Sequence, residues 1–277
     1  MTSKYQTALL FFRVACLATL IVASGRLHAA DSQVISGELV ARAYDIKDVR
    51  EVFADGGVKL RISQGTTESL RAEGSASLMD RVSVDLTGQR LTLRLKSTPG
   101  RAFDFRRWMN PGHEEVTFLL QVKTLRHLET SGAVKINMNS FNVDALTIQL
   151  SGASNLDSRN LKARNLSIVQ SGASGVDITH LVAPSLKVDL SGSSDFEVKS
   201  SGESQSLVIG ASGASNFRGR LLKAVTAEIE ASGASNVDVH VIEKISGGAS
   251  GASNIKYRGQ PRSSLTASGA SNIRAVD

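Results

Sequence analysis

Through the second half of the chain, apolar and polar residues alternate in short runs that return about every twenty positions. A five-residue phrase, Ser-Gly-Ala-Ser-Asn, marks each return at Ser151, Ser212, Ser232, Ser250 and Ser268, with looser copies beginning at Ser131, Ser171 and Ser191. The eight starts lie 20, 20, 20, 21, 20, 18 and 18 residues apart. A period of this length marks stacked structural units, each unable to bury its apolar side alone.

Counted from the serine, the sixth residue of every unit is large and apolar: Ile136, Leu156, Val176, Phe196, Phe217, Val237, Ile255 and Ile273. Its successor is mostly polar, and the residue after that is again mostly apolar, as in Met138, Ile178, Val198 and Val239. This is a short strand with one inward face. A second alternating run closes each unit, for instance Leu146-Thr147-Ile148-Gln149-Leu150 and Leu186-Lys187-Val188-Asp189-Leu190, and a shorter inward pair such as Leu161 and Ala163 lies between the two runs. Three straight pieces in about twenty residues describe one coil of a parallel β-helix. The predicted class is all-β, a β-solenoid of roughly 20-residue coils, and eight coils stacked at the inter-strand spacing make a rod of roughly 35 to 40 Å.

The repeated phrase fits a corner of the coil. Its glycine permits a backbone conformation or close approach that a β-carbon would block. Its fifth place holds Asn155, Asn216, Asn236, Asn254 and Asn272, whose amides can hydrogen-bond along the axis as a structural ladder. Residues 31–130 are less regular but echo the repeat: Asp55-Gly56-Gly57-Val58-Lys59-Leu60-Arg61-Ile62 aligns with Ser131-Gly132-Ala133-Val134-Lys135-Ile136-Asn137-Met138. Further alternation follows at Val82-Ser83-Val84 and Leu91-Thr92-Leu93-Arg94-Leu95. This part is expected to form early coils or a capping sheet continuous with the solenoid, because an open end exposes unpaired strand groups. The organisation is therefore a leader over 1–30, a β-rich part over 31–130 containing a loop at 97–115, and the repeat solenoid over 131–277.

The leader carries Lys4, an apolar run resuming from Val14 to Ala23 and small residues at Ala29 and Ala30, the pattern of a cleaved secretory signal. Its apolar run is shorter than the ~20 residues a membrane span needs, and no later segment is apolar enough to cross, so the mature chain has no integral span. The single cysteine, Cys16, lies within it, and Arg13 three places earlier speaks against lipidation. The protein is expected to be exported, to the periplasm, the outer membrane or the cell exterior. The whole chain carries a formal charge of +6, but removing Lys4, Arg13 and Arg26 from its 32 basic residues leaves 29 against 26 acids, near +3. With no basic stripe interleaved with aromatics, nucleic acid is not an expected partner.

These features, an exported chain with VKLRISQG at 58–65, LTLRL at 91–95 and tandem SGAS coils, resemble the head GIN domain of putative autotransporter adhesins over roughly residues 48–274. The resemblance implies a bacterial β-helix with an adhesin-like role and supplies no catalytic or metal residue. The chain lacks a C-terminal run of alternating strands long enough for an outer-membrane barrel, so a self-sufficient autotransporter is not expected.

Candidate chemistry is sparse. Asp157, Asp177 and Glu197 fall on successive rungs of the outward column, near the ~5 to 5.5 Å carboxylate separation of retaining glycosidases. Equally spaced charges in water repel by only about 0.9 kcal/mol per pair, so such a column also stands without function. The glycine-aspartate nonapeptides of calcium-binding β-rolls are absent, and His113, His127, His180 and His240 follow no ligand spacing, so no metal or cofactor is expected. No serine lies in a Gly-x-Ser-x-Gly elbow. The loop between Pro99-Gly100 and Pro111-Gly112 departs from the repeat and gathers Phe103, Phe105, Arg106, Arg107 and Trp108, the last being the only tryptophan. Aromatic and arginine side chains together suit a ligand-binding site as well as a cap over the core.

Three functions therefore stand. The first is a non-enzymatic envelope solenoid that binds polysaccharide or protein. The second is a carbohydrate-active enzyme using Asp157, Asp177 and Glu197. The third is an assembly module whose open coil edge near Ile273 pairs with another copy into a homo-oligomer.

Overall fold

The computed structural model describes residues 29–36, 39–96 and 115–276. The cap comprises β1 Ala29–Ser36, β2 Leu39–Tyr44, β3 Glu51–Gly56, β4 Val58–Gln64, β5 Ser69–Ser75, α1 Ala76–Met79, β6 Val82–Thr87, β7 Arg90–Leu95 and β8 Val116–Val122. The coils follow as β9 His127–Gly132, β10 Lys135–Leu150, β11 Asn155–Gln170, β12 Gly175–Val182, β13 Ser185–Leu190, β14 Asp195–Ala211, β15 Asn216–Ala231, β16 Asn236–Ala249, β17 Asn254–Arg258, β18 Arg262–Ala267 and β19 Asn272–Ala275. The long strands bend around the coil, so one strand contributes to three faces. We call them leading, middle and trailing in the order the chain meets them after each serine.

Stacking is parallel and in register. Ile136, Leu156, Val176, Phe196, Phe217, Val237, Ile255 and Ile273 form one inward column on the leading face. All but the last are buried, and the rings of Phe196 and Phe217 stack with centroids 4.9 Å apart. Leu161 and Ala163 are buried on the middle face, and Leu146, Leu166, Leu186 and Leu207 on the trailing face. The alternation seen in the sequence is thus the alternation of core and solvent.

The corner of each coil explains the repeated phrase. Gly132, Gly152, Gly172, Gly192, Gly213, Gly233, Gly251 and Gly269 all have φ between +68° and +85°. The carbonyls of all but Gly269, on the last rung, accept from the amide one rung on, as in Ala153 N to Gly132 O at 2.8 Å and Ala234 N to Gly213 O at 2.7 Å. A β-carbon on Gly213 would stand 2.5 Å from the carbonyl oxygen of Gly192, which a packed structure cannot accept. The fourth residue, Ser154, Ser174, Ser194, Ser215, Ser235 or Ser253, is buried. In five of these six its hydroxyl donates to the carbonyl of the serine that opens the phrase, at 2.9 Å from Ser154 and 2.7 Å from Ser235, for example. The phrase therefore closes its own turn and provides the rung-to-rung bond.

The solenoid begins before the first serine phrase. Asp55 and Gly56 pair with Ser131 and Gly132, and Lys59 to Ile62 pair with Lys135 to Met138, residue for residue as the echo aligns them. Both expectations for the N-terminal part are met together, since early coils and a cap coexist. Beyond β4 the leading face continues through β8 in parallel and then β5, β2 and β1 in antiparallel order, while β6 closes the trailing face against β7. β1 starts at Ala29, two residues inside the predicted leader, and Asp31 to Ser36 keep their own pairs with β2. On the middle face the amide of Gln64 does the work of a strand. It donates to the carbonyl of Asn142 at 3.1 Å and accepts from the Asn142 amide at 2.8 Å.

One inward position breaks the apolar pattern. Gln170 lies between Leu150 and Leu190 in the trailing column and is fully buried. It donates to the carbonyls of Ser174 and Asp195 at 3.1 and 2.9 Å, while Oε1 has no partner among the described residues.

Two stability predictions follow from these sites. Gly213→Val should cost about 3 kcal/mol or more in chemical denaturation, because it combines backbone strain with a collision against another backbone. Gly57→Ala, a corner glycine with open space around its Cα, should change stability by less than about 1 kcal/mol; equal effects of the two would refute the corner argument. Gln170→Leu, which removes the unpaired oxygen and matches the leucines above and below, should raise stability by about 1 kcal/mol. A lower denaturation midpoint would mean that Oε1 is satisfied.

Candidate functional site

Outward positions of the leading face form three columns running along the rod. The central one contains Arg61, Asn137, Asp157, Asp177, Glu197, Arg218, Asp238, Lys256 and Arg274, held in register by strand pairing. The three predicted acids are therefore neighbours. The structure adds what the sequence reading left out: Arg159 and Lys199, two residues after Asp157 and Glu197, project from the same face. A shallow depression of about 190 Å³ lies between these residues and Asn139 and Thr179.

Lys199 organises this acidic stretch. Its Nζ lies 2.7 Å from Oδ2 of Asp177. The hydrogen bond to Asp177 raises the Lys199 pKa above its usual 10.5, and the charges of Asp177, Asp157 and Glu197 act in the same direction against the opposing effect of burial. The ammonium occupies one oxygen of the Asp177 carboxylate, Oδ2. Asp177 is also 41% exposed, so water is not excluded from it. Period-two spacing could have pointed to both cations, since residues two apart on a strand share a face.

The adjacent column is the amide ladder. Asn254 donates to Asn236 at 3.1 Å, Asn236 to Asn216 at 3.0 Å, and Asn216 to Oδ1 of Asp195 at 2.9 Å. Asp195 also meets Arg218 at 3.2 Å, so the chain of amide dipoles ends on a carboxylate with its own cation. Asn272 stands in register beyond Asn254. Asn155 is set apart from the ladder because Gly175 occupies the next rung. Each internal amide spends one N–H and one lone pair on its neighbours and keeps one of each for solvent or a ligand. The rim beside the ladder carries Arg218, Asp238 and Lys256 around a depression of about 200 Å³.

The trailing face has a separate cluster near the cap. Arg90 and Arg94 lie over opposite flanking positions of Phe53, with guanidinium carbons 5.4 and 5.3 Å from the ring centroid, and Arg90 pairs with Glu129 at 2.8 Å. The predicted loop residues Phe103, Phe105, Arg106, Arg107 and Trp108 lie outside the described residues. The strands that precede and follow them, β7 and β8, lie beside β3 and β4, which meet at the Gly56-Gly57 corner. Among the described residues, no group of three or more histidine, cysteine or acidic side chains is placed to hold a metal ion, and no helix is long and apolar enough to cross a membrane.

The Lys199 ion pair has a pH signature. Because folding raises the lysine pKa, the contribution of the pair is whole below 10.5 and disappears as pH climbs past the raised value. The parent should therefore lose stability relative to Lys199→Met as pH rises beyond 10.5. Parallel melting curves across that window would show that the pair contributes nothing to folding.

Comparison with known proteins covers most of the chain. The profile of a family described as putative auto-transporter adhesin, head GIN domain, matches residues 48–261. No curated protein matches the chain. Among solved structures, a putative adhesin from Parabacteroides merdae superposes with a TM-score of 0.72 at 17% identity, covering 87% of this chain and 97% of its own. A putative adhesin from Bacteroides fragilis gives a TM-score of 0.63 at 20% identity, covering 87% and 98%. A protein from Parabacteroides distasonis described as a putative lipid binding protein gives 0.70 at 18%, with the same two coverages. At these identities the likeness is one of fold.

Proposed function

We propose that this chain, which belongs to the head GIN domain family of putative auto-transporter adhesins, is an exported, non-enzymatic component of the bacterial cell envelope that binds polysaccharide or protein along its solenoid faces. The observation that carries the reading is the periodic array on the leading face. Its amide ladder offers a free donor and acceptor on each of Asn216 and Asn236, beside alternating charges at Arg218, Asp238 and Lys256. Rungs repeat at about 4.8 Å. Such an array suits an extended polymer with polar groups at short, regular intervals, which can lie along the rod and form weak contacts at many rungs.

The enzymatic alternative is disfavoured by the Lys199 ammonium on Asp177 and by the open setting of the acids. The assembly alternative draws on one observation: β18 and β19 close the last coil, and each pairs with only one other strand among the described residues. Concentration-dependent association of the purified chain without any ligand would favour it.

The aromatic and arginine residues of the 97–115 segment are proposed as part of the binding surface. Binding of residues 31–277 to a panel of envelope and host polysaccharides tests this, with a parallel Arg106→Ala, Arg107→Ala, Trp108→Ala variant that melts like the parent. Saturable binding that falls about tenfold or more in the variant is expected, since side chains of this kind each carry a kilocalorie or more at interface centres. Undiminished binding would remove the segment from the site.

A further inference from the structure

A groove of about 500 Å³ opens on the middle face where the cap meets the first coils. Its rim carries Lys123 from the turn after β8, and Lys162 and Arg164 from β11. Lys123 and Lys162 are exposed and make no ion pair among the described residues. Arg164 contacts Asp144, the one carboxylate of the rim among the described residues, at 3.4 Å, and both side chains are at least 80% exposed. Three cations thus face one acid.

One end of the groove is apolar: Val182 stands one rung on from Lys162 and, with the exposed Pro184, lines the groove beside the buried Ala163. Val182 is one of four large apolar residues exposed among the described residues, at 37%. One rung further along, Val182 pairs with Glu203, which ends the cationic stretch. The walls do not depend on ligand to form. Gln64 ties the turn to the first rung by donating to the carbonyls of Lys123 and Asn142, both at 3.1 Å.

We infer that this groove binds an acidic sugar unit of a polysaccharide, a specificity that rests on the polysaccharide reading above. Its volume falls in the range of about 300 to 1,000 Å³ usual for small-ligand sites. The C–H face of a sugar ring fits against Val182 and Pro184, and its hydroxyls meet the polar groups of Thr124 and Asn142. A carboxylate or sulfate completes the set by offsetting the surplus cations. Single-stranded nucleic acid is a poorer match because no aromatic residue among the described residues lines the groove to stack on a base.

The test measures binding of the purified chain to polygalacturonate, heparin, neutral dextran and a single-stranded oligonucleotide. It is repeated with a Lys123→Gln, Lys162→Gln, Arg164→Gln variant and, independently, with Val182→Glu. All four positions are exposed, so both variants should melt like the parent. The parent should bind polygalacturonate or heparin, according to whether the acidic group is carboxylate or sulfate, more tightly than dextran and less tightly as salt rises. Each variant should lose about tenfold or more in affinity. Acidic polysaccharide bound equally by parent and variants would overturn the groove while leaving the polysaccharide reading intact. Oligonucleotide bound as tightly as the polysaccharides would overturn the sugar specificity. Failure to bind any polysaccharide of either charge would overturn both.

Discussion

A backbone carbonyl at each serine corner points to the place where a β-carbon of the next corner would stand. Only glycine at that position lets the next coil descend to hydrogen-bonding distance, and this close approach sets the register of all three faces. The effect is visible in where the repeat tolerates error. The 21-residue spacing between Ser191 and Ser212 is absorbed by a register shift between Ile178 and His180 on the opposite strand, at the junction of the leading and middle faces. The 18-residue coil that follows Ser232 is absorbed by shifts between Gly219 and Lys223 and between Ala224 and Thr226. The serine corner keeps its bonds throughout, from Ala153 to Ala270. Length variation is confined to the corners that carry no such bond.

The same register creates a problem at the first rung, and each face solves it with different chemistry. The leading face is extended by antiparallel strands until β1 is reached, and the trailing face by the β6 hairpin partner of β7. On the middle face a single side chain suffices, because an amide offers the same donor and acceptor as a peptide group. Gln64 therefore gives the strand edge at Asn142 both of the bonds that another strand would supply. It does so without covering the surface alongside, which leaves a groove there.

Periodicity made the fold legible. Glycine spacing marked the corners, alternation marked the core, and the echo at Val58 to Ile62 located a coil ahead of the repeat. The acids at 157, 177 and 197 were placed side by side by the same arithmetic, and so was the run of asparagines from 216 onward. What escaped were contacts between positions that the repeat does not relate. Gln64 to Asn142 and Lys123 to Lys162 bring together positions with no common offset, and Lys199 matters because its side chain leans back a rung to Asp177. Side-chain direction of this kind is decided by packing and charge in three dimensions. No count along the chain contains it.

If the chain binds a polymer as proposed, these two kinds of residue divide the work of recognition. A strictly repeating face presents the same groups at every rung, so a polymer can slide along it by one spacing with little change in energy. Such a face contributes many equivalent contacts but cannot fix where a ligand stops. Fixing a position requires groups that occur once, and several of these lie where the repeat meets the cap: Lys123 and Gln64 on the middle face, and the Arg90, Arg94 and Phe53 cluster on the trailing face. Under the binding role proposed above, the coils would supply length and avidity, while the first rungs would decide which ligand is held and in what register.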